Sequence, residues 1–82
     1  MIEDRVKLKA DELVEQYRDI LHTKIVKDPR IITEIATECA LVNTTNTVVV
    51  LEFAVIQDPY NTKLIDRLDF WDKVEAELFS RL

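Results

Sequence analysis

The chain has 82 residues, of which 48% are apolar and 33% charged, with a net charge of −5. That length allows one small domain with a thin stability margin, which association with a second chain would widen, and the composition excludes a disordered polymer. Glycine is absent and Cys39 is the only cysteine, so glycine-rich phosphate loops and intrachain disulfides are excluded, and an unpaired thiol fits a reducing cytoplasm.

The charge is uneven: residues 1–30 carry seven basic and seven acidic side chains, residues 31–82 four and nine. Clustered cations for phosphate backbones are missing, so nucleic acid is not an expected partner. The start, Met-Ile-Glu-Asp-Arg, lacks the basic and apolar order of a signal peptide, and no stretch is expected to approach the ~20 apolar residues of a membrane span.

Residues 3–26 form the first expected helix. Val6, Ala10, Leu13, Val14, Tyr17, Ile20, Leu21 and Ile25 recur at spacings of three and four, with Asp4, Lys7, Asp11, Glu15, Arg18 and His22 opposite. Such a helix spans roughly 37 Å, longer than a domain of this size needs, so one end can project or meet a second chain. Asp28-Pro29 then reads as N-cap and first helical residue. A second helix is expected over residues 29–42, its apolar face made by Ile31, Ile32, Ile35, Ala36, Cys39 and Ala40, and Asn43-Thr-Thr-Asn-Thr47 reads as a turn.

In residues 48–56, Val-Val-Val-Leu-Glu-Phe-Ala-Val-Ile, eight of nine residues are apolar, so neither side can be left in water. Length and β-branching suit a strand, whereas the lack of a second strand to satisfy its backbone favours a helix over residues 46–57. The last helix, residues 61–81, starts from Asp58-Pro59 or from Asn61, with Leu64, Ile65, Leu68, Trp71, Val74, Leu78 and Leu82 as its stripe. Glu75 falls inside that stripe and calls for a partner or an exposed end.

No arrangement carries catalysis. His22 sits on a polar face and Cys39 on an apolar one, and one His with one Cys cannot make a structural zinc site, so no catalytic residue, metal or cofactor is expected. Asp66, Asp69 and Asp72 make an acidic ridge, and Glu34/Glu38 and Asp69/Asp72 read as solvated helix faces. Phe70, Trp71 and Phe79 cluster on the last helix, where aromatic side chains can anchor an interface. The protein-interface candidates are therefore Phe70, Trp71, Glu75, Phe79, Asp66, Asp69 and Asp72.

The expected fold is all-α: one domain, residues 1–82, a compact four-helix bundle completed by homodimerisation. The alternative is an α+β chain whose residues 48–56 pair as a strand between subunits. The expected function is that of a small cytoplasmic regulatory, adaptor or inhibitory protein acting by protein–protein interaction, of a kind that suits a phage accessory protein. Its partner is a protein, a second copy included, with no membrane span. The alternative is a helix-turn-helix-like DNA-binding regulator using residues 31–56, in which Ile35-Ala36, Leu41-Val42 and Val48-Val49 fill the apolar positions. That arrangement lacks the usual turn glycine, has a longer turn, and has no Lys or Arg between Arg30 and Lys63.

Overall fold

The computed structural model describes residues 2–24 and 28–82, the side chains of residues 22–24 excepted. The side chain of His22, Ile25 and the expected end of the first helix at residue 26 lie outside the described residues. Three helices follow in order: α1 (Ile2–Lys24), α2 (Pro29–Gln57) and α3 (Thr62–Ser80). The all-α class holds, and no strand occurs among the described residues, so residues 48–56 are not a β-strand.

Glu3 and Asp4 in the first turn of α1 complement the helix dipole. Along its exposed side Lys9 pairs with Glu12 at 3.3 Å and Arg18 with Glu15 at 2.8 Å. Such solvated pairs are worth only about 0.3–0.5 kcal/mol each, so packing holds α1 in place.

The expected four helices are corrected to three among the described residues, because α2 runs unbroken through residues 43–47 where a turn was expected. Its start follows the sequence signals: the Asp28 carboxylate accepts the Arg30 N–H at 2.9 Å and Pro29 takes the first turn. The Asn/Thr run stays helical with the side chains of Asn43, Thr45 and Thr47 bonded in ways that leave the backbone ladder intact. Thr47 Oγ1 donates to the Asn43 carbonyl one turn back at 3.1 Å. Asn43 Nδ2 donates to Tyr17 Oη of α1 at 3.2 Å, and Thr45 Oγ1 donates to Glu75 Oε2 of α3 at 2.8 Å. With no glycine or proline between Pro29 and Pro59, nothing forces a break.

The end of α2 is set by Asp58, whose N–H donates to the Ala54 and Val55 carbonyls at 3.0 and 3.2 Å, and by Pro59, which cannot continue the helix. Of the two candidate starts for α3, Asn61 is the cap: its Oδ1 accepts from the N–H groups of Lys63 and Leu64 at 3.1 and 3.3 Å. No described residue has positive φ, so the connection to α3 is built without the geometry that glycine would supply.

Each helix touches the other two. The core is Val6, Ala10, Leu13 and Val14 of α1, Ala36 and Ala40 of α2, and Val74 and Leu78 of α3. Ala10, Ala36 and Ala40 are fully buried, and their small side chains let the backbones approach closely. Arg81 ties the end of α3 to α1, donating to Asp11 at 2.8 Å and to Glu77 at 3.0 Å. Burial opposes the guanidinium charge, but the hydrogen bonds and charges of Glu77 and Asp11 outweigh it and raise the Arg81 pKa.

The molecule is not compact. It measures 48 × 25 × 18 Å with a radius of gyration of 14.3 Å. A compact domain of this length would have about 11.7 Å. The elongation has a local cause, because α2 outruns α1 and no residue of α2 after Val48, nor of α3 before Val74, is buried. Toward that end only the first turns of α1 remain beside α3, where Ile2 and Arg5 line a cleft with Asp66, Asp69 and Phe70.

Thr44 is buried between the helices, yet its Oγ1 has no hydrogen-bond partner among the described residues. Replacing it with the isosteric Thr44→Val should raise the unfolding free energy by about 1 kcal/mol, because the stranded hydroxyl disappears. Leu78→Ala should lower it by about 3 kcal/mol, because Leu78 is the largest fully buried side chain of the core. Urea denaturation followed by circular dichroism measures both, and a destabilised Thr44→Val would show that the hydroxyl has a partner.

Candidate interaction surface

Helix α2 is apolar on two opposite sides. Ile32, Ala36, Ala40, Thr44 and Val48 face inward and are buried against α1 and α3. The other side carries Val42, Val49, Phe53 and Ile56, which are 62%, 57%, 65% and 72% exposed. At ~100° per residue these four share one face, on the far side of α2 from the core. Val50, also exposed, widens the row toward its C-terminal half.

Neighbouring helices set the margins of this face. Tyr17 of α1 meets Asn43 on one margin, and a shallow groove there is lined by Tyr17, Glu38, Cys39, Val42, Asn43 and Asn46. Glu75 of α3 meets Thr45 on the other margin. Cys39, expected on an internal apolar face, is half-buried at the rim of this groove. Arg30 is the only cation of α2 and lies at its first turn, so the outer row is apolar with Glu38 and Glu52 beside it.

The interface candidates named from the sequence fall into three groups. Phe70 and Trp71 are half-buried, packed edge to face with ring centroids 5.8 Å apart, and lie against the core. Lys9 Nζ covers the Trp71 ring at 5.7 Å from its centroid, so this aromatic pair is engaged by α1. Glu75 finds the Thr45 hydroxyl rather than a basic group. Phe79 is exposed, as are Asp66, Asp69 and Asp72, and Asp69 pairs with Lys73 at 3.1 Å. The three aspartates stay solvated, and among the described residues no group of His, Cys, Asp or Glu is arranged to hold a metal ion.

Val42, Val49, Phe53 and Ile56 were not among those candidates. Their signal is present in the sequence as steps of seven, four and three residues, but it becomes visible only when residues 43–47 are taken as helix. The same continuity removes the turn that the helix-turn-helix arrangement requires. It also makes Pro29–Gln57 long and apolar enough, by length and composition, to cross a membrane, with an 18-residue window of mean hydropathy 1.6. Dividing the segment in two hid that length. Along it lie α1 and α3, whose exposed charges include Glu12, Glu15, Asp69 and Lys73.

No protein-family model, curated protein or solved structure matches the chain.

Phe70 and Phe79 provide a direct contrast between packing and surface. Phe70→Ala should cost about 2 kcal/mol of stability, through lost burial and the lost ring contact with Trp71, whereas Phe79→Ala should change it by less than about 0.5 kcal/mol. Thermal or urea unfolding of the two variants checks this, and equal effects would mean that Phe70 is not part of the core.

Proposed function

We propose that this chain is a small cytoplasmic regulatory, adaptor or inhibitory protein that works by protein–protein contact through the outer face of α2, with self-association as part of its working state. The observation that carries the reading is the row of Val42, Val49, Phe53 and Ile56, exposed on a helix that is buried on its other side. A contiguous apolar face of this kind, edged by polar groups, is characteristic of interaction sites. No catalytic role enters the reading, and Cys39 and the acidic ridge are taken as structural and solvated groups.

Membrane insertion of α2 is not part of the proposal. In this packing it would carry the charged sides of α1 and α3 into hydrocarbon, at about 2.5–3.5 kcal/mol or more for each ionised side chain near the bilayer centre. DNA binding is likewise left out. The outer row offers phosphates no Lys or Arg, and sequence-independent affinity for DNA depends on such cations.

Photo-crosslinking from residue 49 in native cell extract tests the reading. A crosslinker placed there should capture a discrete protein, this chain or another, and the capture should be lost when Phe53→Glu is added to the same chain. Crosslinks indifferent to Phe53→Glu would remove α2 as the binding face, and tight, salt-sensitive DNA binding would replace the reading altogether.

A further inference from the structure

Resting on the reading of α2 as the binding face, we propose that its occupant is the same face of a second copy, docked parallel and in register as a two-stranded coiled coil. The outer row advances by alternate steps of three and four, which places Cys39, Asn46 and Phe53 at a positions and Val42, Val49 and Ile56 at d positions. A mean step of ~3.5 residues keeps a seam facing another helix that supercoils with it. A flat surface does not need that step, and inward packing uses the opposite side of α2.

Asn46 identifies the arrangement more closely. It is an exposed polar residue in the middle of an apolar row, where a membrane or an apolar groove would leave its carboxamide without a partner. In a parallel, in-register pair the two Asn46 side chains meet across the two-fold axis and can hydrogen-bond each other. A single asparagine at an a position is the device that sets register and two-strandedness, at some cost in stability.

Charge selects the direction. Glu38, Thr45 and Glu52 occupy one flank of the seam, and Glu75 sits on that flank through its bond from Thr45. An antiparallel pair would turn this acidic flank against its own copy. A parallel pair sets Glu38, Thr45 and Glu52 toward Asn43, Val50 and Gln57 of the second chain, with no like charges opposed.

The elongated chain exposes 6109 Å², about 1,000 Å² more than the ~5,100 Å² of a compact monomer of its mass, and the outer row of α2 is one part of that surface.

Cys39 serves as the reporter. As an a residue it faces its counterpart in a parallel pair, whereas in antiparallel registers of the same seam the two lie roughly 15 Å or more apart along the axis. Diamide, a diazene oxidant, takes two electrons and two protons from the paired thiols, forming the Sγ–Sγ bond and the reduced hydrazine. The full chain should sediment as two copies at micromolar concentration and, with diamide, run as a covalent dimer that Cys39→Ser abolishes. Val49→Glu, at an already exposed position, should keep its helical circular dichroism, weaken association roughly 100-fold and lose the crosslink.

Asn46→Leu should tighten association and admit masses above two chains, since the restriction to two strands is gone. A monomer, a wild-type mass other than two chains, a dimer whose Cys39 thiols do not join, or an Asn46→Leu variant with unchanged association would each overturn the inference. A monomer whose residue-49 crosslinks to another protein are still lost on adding Phe53→Glu would overturn this pairing alone and leave α2 as the binding face.

Discussion

A helix that is apolar on two opposite sides needs partners on both, and α1 and α3 pack on one side of α2. Most features of the molecule follow from that imbalance. Val42, Val49, Phe53 and Ile56, on the side of α2 away from α1 and α3, are in contact with solvent. Each large apolar side chain taken fully out of water would contribute about 1.5–3 kcal/mol, and a row of four is a substantial driving force for association in a domain of marginal stability.

The internal packing is correspondingly lean. The described core cluster depends on three alanines for close helix approach and on Leu13, Val74 and Leu78 for bulk. The residues of α2 beyond Val48 and those of α3 before Val74 are at most half-buried. A segment with so little buried apolar contact belongs to the low-stability end of a structure, where opening is easiest. Contact along the outer face of α2 would brace this end, so binding and folding stability are coupled by mass action.

Local signals in the sequence were enough for α1 and α3. Repeats of three and four located most of their stripes, although Ile20, Ile65 and Leu82, expected on them, are exposed; Asp28-Pro29 located the start of α2, and Asn61 was one of two candidate caps for α3. The continuity of α2 was not legible, because the propensity of Asn and Thr to leave a helix was set against partners that lie far away in the chain. Asn43 bonds to Tyr17 and Thr45 to Glu75, 26 and 30 residues distant, and no local window contains such pairs. Glu75 was recognisable as misplaced on an apolar stripe, but its partner, a threonine hydroxyl, could not be named without the fold. The outer row of α2 was hidden for the same reason as the helix itself: its period crosses the residues that read as a turn.

The outer apolar face exists only if α2 is one helix across residues 43–47. Residue-resolved native-state hydrogen exchange measures this at the amides concerned. The amides of residues 43–47 should exchange as slowly as those of residues 36–42, because they belong to the same ladder. Rapid exchange confined to residues 43–47, with protection on either side, would contradict that continuity and restore two helices joined by a turn.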